Sequence, residues 1–159
     1  MRHDGTRRAE ERKPVPYHPM TEVQVRAFLT ALPARTGKLA TVRTDGRPHV
    51  APIWYDLDDD GAVLFNTGEH TVKGRNLLRD RRAALCVDDE RPPFSFVTVE
   101  GEAEVIRDLA EVTEWAARLG ARYMGAERAD EYGERNGVEG EMLIRLRPDV
   151  IHSAADLAD

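Results

Sequence analysis

Residues 36–55 read TGKLATVRTDGRPHVAPIWY and predict a β-hairpin. Residues 38–43 alternate in character as a half-buried strand does. Residues 44–47 form a turn that contains Asp-Gly, a strong hairpin signal. The returning strand, residues 48–55, contains two prolines. Because proline cannot donate to a β-ladder, this strand is predicted to lie at a sheet edge or to carry a bulge.

Outward from the hairpin, the pattern predicts a mainly β protein with flanking helices. Four further strands are predicted at residues 62–67, 83–88, 94–106 and 141–146, giving six in all. Helices are predicted after the N-cap Thr21 and at residues 72–79, 108–122 and 126–135. The first three strands are expected to meander, Gly101 to form a bulge or a bend, and Pro148 to close the last strand. Since helical crossovers are missing between the first three strands, an antiparallel barrel is favoured over parallel βαβ units.

Bulk composition is typical of one globular domain. The 159 residues are 41% hydrophobic and 33% charged, and the net charge of −6 gives no reason to expect nucleic-acid binding. No apolar run approaches the length of a membrane span, so no membrane partner is expected. Residues 1–16 are expected to form a mobile tail and residues 17–159 a single domain. The lone Cys86 is predicted to be buried, and a chain without internal disulfides suits the cytoplasm.

Residues 66–77, NTGEHTVKGRNL, carry the strongest chemical signal. Here a strand is predicted to end and a helix to begin, and a helix N-terminus offers free N–H groups and the positive end of a dipole to a phosphate. Thr71, Lys73, Arg75 and Asn76 add further donors. An ordinary basic surface helix remains the alternative. No metal site is predicted, because the histidines are scattered, and the sequence identifies no catalytic residue.

Three segments resemble the pyridoxamine 5'-phosphate oxidase-like split β-barrels. They are the hairpin at residues 36–55, the Lys-x-x-Asn-Leu-x-x-Asp-x-Arg run at residues 73–82, and the Glu-Gly-x-Ala strand at residues 99–105. The resemblance covers residues 20–152 and is nearest to the actinobacterial reductases that use the deazaflavin coenzyme F420. It implies a six-stranded antiparallel split β-barrel, FMN-binding-like, that forms a homodimer with cofactor in a groove between the subunits.

The resemblance also implies which residues bind the cofactor. Lys73 would meet the phosphate, and the ring would lie along residues 50–52. The implied cofactor-binding set is Val50, Ala51, Pro52, Asn66, Thr67, Thr71, Val72, Lys73, Gly74, Arg75, Asn76, and Phe94 and Ser95 of the second subunit. Close relatives often carry arginine where this chain has Thr71, which leaves one positive charge fewer. Residues 145–148 match poorly the C-terminal signature of the true pyridoxamine-phosphate oxidases, which argues against vitamin B6 oxidation.

The expected function is therefore hydride transfer between coenzyme F420 and a small organic substrate. Two alternatives stay open: an FMN-dependent oxidoreductase of the same fold, and a non-catalytic protein that binds or carries a cofactor. Trp54 and Tyr55 are neighbours on a strand and must face opposite sides, so one is expected near the ring and Tyr55 in the core. Trp115 is expected to pack in the core.

Overall fold

The computed structural model describes residues 18–158, so the tail predicted over residues 1–16 lies outside the described residues. The strands are β1 (Gly37–Val42), β2 (Pro48–Ile53), β3 (Asp56–Leu57), β4 (Val63–Gly68), β5 (Arg82–Asp89), β6 (Ser95–Ile106) and β7 (Glu141–Ala154). The helices are α1 (Glu22–Thr30), α2 (Val72–Arg79), α3 (Leu109–Met124) and α4 (Ala129–Asn136), with a 3-10 turn at Ala126–Arg128. No helix in residues 18–158 is long and apolar enough to cross a bilayer.

All seven strands belong to one antiparallel sheet with the order β2-β1-β5-β6-β7-β4-β3. Strands β2 and β3 form its opposite edges, yet only Trp54 and Tyr55 separate them in the chain. In a flat sheet, six gaps of about 4.8 Å would hold these edges about 29 Å apart. Three Cα steps reach at most about 11 Å. The sheet must therefore curl on itself, and it forms the split barrel that the sequence predicts.

Two details of the predicted sheet were wrong. The sheet has seven strands rather than six, because the two-residue β3 pairs with β4 through Asp56–Leu64 and Leu57–Val63. A strand of two residues is too short to show the alternation of apolar and polar side chains by which strands are predicted. The predicted meander is also wrong, since β4 pairs with β7 and not with β2. The edge position of β2, inferred from its prolines, is confirmed.

Strand β7 does not end at Pro148, as the sequence predicted, but continues to Ala154. The predicted bulge at Gly101 explains the difference. Gly101 pairs with Pro148 and Glu100 with Val150, so Asp149 is an extra residue in β7. A side chain at Gly101 would overlap with the carbonyl oxygen of Arg147. The bulge breaks the regular ladder at this point, so the missing N–H of proline is tolerated.

The barrel interior is filled by large apolar side chains. The residues with no exposed surface include Leu39, Tyr55, Phe65, Leu77, Leu85, Val87, Met142, Ile144 and Leu146. A second, smaller cluster lies where α3 packs on the outside of β4 and β7, and Trp115 packs against it. Cys86 is half-buried rather than buried, because its neighbours Leu85 and Val87 take the inward positions of β5.

The predicted place of Tyr55 in the core is confirmed, since its side chain is fully buried. Its hydroxyl donates to the carbonyl oxygen of Leu29 in α1 at 2.7 Å. Burial raises the pKa of the Tyr55 phenol well above its ordinary value. The unfolded chain therefore loses this proton near pH 10, while the folded chain keeps it.

We expect the free energy of unfolding to fall as the pH rises above about 10, and Tyr55→Phe to reduce that fall. At neutral pH the substitution is expected to cost about 0.5–1.5 kcal/mol. The cost is modest because the Leu29 carbonyl keeps a second donor, the Arg122 guanidinium at 2.9 Å. Urea denaturation of the wild type and of Tyr55→Phe between pH 7 and 11 measures the free energy of unfolding. An equal fall of this free energy with pH in the two proteins would contradict the expectation.

Candidate functional site

The candidate site surrounds the start of α2, directly after β4. Thr71 caps this helix as predicted: its hydroxyl accepts from the Gly74 N–H at 3.0 Å and donates to the Gly68 carbonyl at 2.8 Å. The hydroxyl of Thr67 lies 3.0 Å from that of Thr71. A side chain at Gly74 would overlap with the Gly68 carbonyl oxygen, so only glycine lets α2 lie this close to the loop.

Helix α2 presents different side chains to its two sides. Leu77 is fully buried, and Lys73, one turn earlier, lies on the same side. Asn76 donates to the Thr41 hydroxyl at 3.0 Å and thereby ties α2 to β1. Arg75 is exposed to solvent. The predicted binding residues of α2 are thus divided between two cavities.

The first cavity, here called the arm cavity, has a volume of about 210 Å³. It lies between the barrel and the helical arm formed by residues 109–136. Its lining consists of Pro52, Ile53, Trp54, Asn66, Lys73, Ala116, Leu119 and Asn136. Of the residues implied by the resemblance, the arm cavity brings together Pro52, Asn66 and Lys73.

Two polar groups of the arm cavity are free to bind a ligand. The Asn66 amide donates to the Val112 carbonyl at 3.1 Å, which fixes its orientation, while its oxygen Oδ1 is buried without a partner. Leaving a buried acceptor unpaired costs about 1–3 kcal/mol. Lys73 forms no ion pair with any residue in the described range 18–158. Burial raises the pKa of the Glu141 carboxyl, while the charge of Lys73 acts in the opposite direction.

The aromatic wall of the arm cavity is Trp54, held by the helical arm. Its ring stacks on Tyr123 with centroids 5.0 Å apart and planes 3° apart, and it meets Tyr132 at 5.4 Å. The Tyr123 hydroxyl donates to the Arg35 carbonyl at 2.7 Å, which anchors the stack to the barrel. As expected, Trp54 and Tyr55 face opposite sides, and Trp54 is the one that lies at a cavity.

The second cavity, here called the arginine cavity, has a volume of about 500 Å³ and lies on the outer side of α2. Its lining consists of Arg43, Thr44, Asp45, Arg47, Val72, Arg75, Asn76 and Arg79. Arg47 pairs with Asp45 at 2.7 Å, and its hydrogen bonds lower the pKa of that carboxyl. Four arginines against one carboxylate make this a strongly positive place in a chain of net charge −6.

The remaining implied residues lie apart from both cavities. Val50, whose exposed fraction is 62%, and Ala51 lie on the β2 edge next to Pro52. Phe94 and Ser95 lie at the start of β6, where the Ser95 hydroxyl accepts from the Asp156 N–H at 3.2 Å. A larger groove of about 700 Å³ beneath α1 contains none of the implied residues.

Sequence reasoning missed the contribution of the helical arm and of the hairpin arginines. Ala116 and Leu119 were visible only as part of the apolar face of α3, without any sign of what that face covers. Arg43 precedes the predicted turn and Arg47 ends it, and a hydrogen bond of 2.9 Å from the Arg43 N–H to the Arg47 carbonyl places them side by side. The hairpin signal could therefore have paired these two arginines, but not their approach to α2.

Comparison with known proteins identifies a family and several similar proteins. The family model described as pyridoxamine 5'-phosphate oxidase matches residues 21–154. The 5a,11a-dehydrotetracycline/5a,11a-dehydrooxytetracycline reductase of Streptomyces rimosus is 36% identical over 56 residues, which cover 33% of this chain and 39% of that protein. The chain spans 39–64% of the length of the curated relatives it matches.

The solved structures that share the fold include two that are at least 25% identical to this chain. A conserved hypothetical protein of Mycobacterium tuberculosis is 25% identical, with a TM-score of 0.75 over 86% of both chains. A structure described as an F420 reductase is 28% identical, with a TM-score of 0.57 over 74% of this chain and 88% of that one.

Proposed function

The chain belongs to the pyridoxamine 5'-phosphate oxidase family, and on that premise we propose that it is an oxidoreductase that binds a flavin-type cofactor at the start of α2. We propose coenzyme F420 as this cofactor and a small organic molecule as the substrate. The observation that carries the proposal is the pairing of a free cation, Lys73, with the unpartnered acceptor of Asn66 in one cavity beside the β2 edge. Similarity to the F420 reductase supports the deazaflavin.

The residues around the cavities fit such a group. The β2 edge, where Val50 and Pro52 are exposed, offers a place for a ring, and Trp54 offers an aromatic wall. The arginine cavity offers charge for an anionic chain. When bound, the cofactor supplies hydride transfer, while the protein binds it, orients it and excludes water. Among the described residues, the lining of the arm cavity contains no carboxylate, imidazole or thiol, so we assign no catalytic side chain.

A second copy of the chain is proposed to complete the site. The arm cavity is smaller than the roughly 300–1,000 Å³ typical of small-molecule sites. A shallow groove of about 500 Å³ crosses the outer face of the sheet. Its lining combines apolar side chains such as Ala40, Ala84 and Val150 with the charged side chains of Arg82, Glu100, Glu102 and Asp149. We propose that a homodimer covers this face and that Phe94 and Ser95 of the second subunit contact the ring, as the family resemblance implies. We place this dimer in the cytoplasm, which suits a chain with one cysteine.

FMN is the second candidate cofactor. Thr71 stands where close relatives of the deazaflavin branch often carry arginine, and FMN has a shorter anionic chain than F420. The described lining of the arm cavity has no carboxylate, imidazole or thiol, which also favours, as a third reading, a protein that binds a cofactor without turnover.

Titration of the purified protein with F420 and with FMN, followed by tryptophan fluorescence, tests the proposal. The chain has two tryptophans, and only Trp54 lines one of the two cavities. We expect quenching at micromolar cofactor, most of it lost in Trp54→Phe and retained in the matched control Trp115→Phe. Preferential binding of FMN would identify FMN, and not F420, as the cofactor. No binding of either would refute the proposal, and binding without any turnover would favour the carrier reading.

A further inference from the structure

We propose that Asn66 is a specificity-determining residue of the arm cavity, and that its side-chain oxygen accepts a hydrogen bond from an N–H or O–H donor of the bound cofactor. This inference rests on the proposed function and states what one residue of the site requires of its ligand. It leaves the cofactor phosphate at Lys73, where the family resemblance assigns it. Ligands of the same shape that lack the donor are expected to bind more weakly.

The helical arm fixes the orientation of the Asn66 amide. Its nitrogen Nδ2 donates to the carbonyl oxygen of Val112 at 3.1 Å. Val112 has no exposed surface and packs with Leu64 and Leu143, where α3 covers the outside of β4 and β7. Turning the amide over would place its oxygen against the Val112 carbonyl, and both groups are acceptors. The oxygen Oδ1 of Asn66 therefore points away from Val112.

The oxygen of Asn66 has no donor in the described part of the chain. Oδ1 is buried and accepts no hydrogen bond from residues 18–158. Leu143, the partner of Asn66 in the β4–β7 ladder, is apolar and fully buried. A buried acceptor without a partner costs free energy in the unliganded protein. A ligand that supplies the donor removes this cost on binding, whereas a ligand without the donor does not, and the difference is the basis of selection.

The size of the arm cavity makes one hydrogen bond important. Its volume of about 210 Å³ is too small for a whole cofactor, so only one edge of the ligand enters it. The polar side chains of its described lining are Asn66, Lys73 and Asn136, and the ammonium group of Lys73 can only donate. Of the two asparagine oxygens, that of Asn66 is the one that is buried without a partner. The entering edge must therefore carry a donor for it.

Two analogues of FMN distinguish the possible donors, which are the ring N–H and the hydroxyls of the chain on the ring. In 3-deaza-FMN a C–H replaces the ring N–H, and 2',3',4'-trideoxy-FMN lacks the hydroxyls but keeps the phosphate. We expect one of the two to bind the wild type about tenfold to a hundredfold more weakly than FMN. In Asn66→Leu, which keeps a branched side chain and removes the acceptor, we expect that analogue and FMN to bind within threefold of each other.

The stability of the unliganded protein gives a second readout, which holds for either cofactor. Asn66→Leu removes an unsatisfied acceptor, and the Val112 carbonyl keeps its hydrogen bond within α3. We therefore expect the unliganded variant to unfold at the same temperature as the wild type or at a higher one. The rise in unfolding temperature on adding F420 or FMN is expected to be smaller than in the wild type. A purely structural asparagine would instead give a less stable unliganded variant.

The matched control is Asn136→Leu, the same change in the same lining, and it is expected to keep the preference of the wild type for FMN over the analogues within twofold. The inference is overturned, while the proposed function stands, if the wild type binds both analogues as tightly as FMN or if Asn66→Leu keeps the full preference. If only F420 binds, a loss of F420 affinity of less than threefold in Asn66→Leu overturns it. If neither cofactor binds the wild type, the proposed function itself fails.

Discussion

Phe65→Ala is expected to lower the free energy of unfolding by about 3–5 kcal/mol, the largest effect we expect of any single substitution. Phe65 has no exposed surface and lies in the middle of β4, paired with Ile144 of β7. Removing its ring leaves a cavity in the barrel interior that neighbouring strands cannot fill without moving. The next two residues along β4 are Asn66 and Thr67, so we also expect weaker cofactor binding.

Urea denaturation at neutral pH measures the effect, with Phe65→Leu as the matched control. Leucine keeps most of the apolar volume, and its cost is expected to stay below about 1.5 kcal/mol. A loss of less than about 1 kcal/mol for Phe65→Ala would show that the barrel interior is not packed around this side chain.

Gly74→Ala is expected to destabilise the protein by about 2–3 kcal/mol, although alanine normally stabilises the interior of a helix by about 1 kcal/mol relative to glycine. The added methyl group would overlap with the Gly68 carbonyl oxygen, a backbone atom that the Thr71 hydroxyl also holds. Relieving this overlap must move α2 away from β4. Because this separates the two sides of the candidate site, we also expect cofactor affinity to fall.

The matched control is Arg75→Ala, which adds the same residue to the same helix at an exposed position. Its effect on the free energy of unfolding is expected to stay within about 0.5 kcal/mol. If Gly74→Ala is as stable as the wild type or more stable, the close approach of α2 to the loop does not exist in solution.

Local patterns in the sequence predict most of the elements. The hairpin of β1 and β2 and the Thr71 cap of α2 are confirmed because each depends on residues close together in the chain. The bulge predicted from Gly101 is confirmed as well, although its extra residue, Asp149, lies in β7. The place of β4 beside β7 depends instead on pairing across about 80 residues, which alternation cannot reveal. Pro148 was misread for the same reason, since its tolerance depends on Gly101 in another strand.

Only part of the candidate site could be predicted from the sequence. The run from Asn66 to Asn76 identified the start of α2 because its polar residues lie close together in the chain. The division of that run into two cavities follows from which way each side chain of α2 points and from what packs opposite: the helical arm on one side and the β1–β2 turn on the other. Both partners are distant in the chain, so composition and spacing did not predict them.

A crystal structure of the protein with bound F420 or FMN tests the central claim most directly. We expect the ring to lie against Pro52 and Trp54 at the β2 edge, Asn66 and Lys73 to contact the cofactor, and a second subunit to cover its open face. A ring bound within one subunit in the larger groove beneath α1, away from α2, would contradict the account.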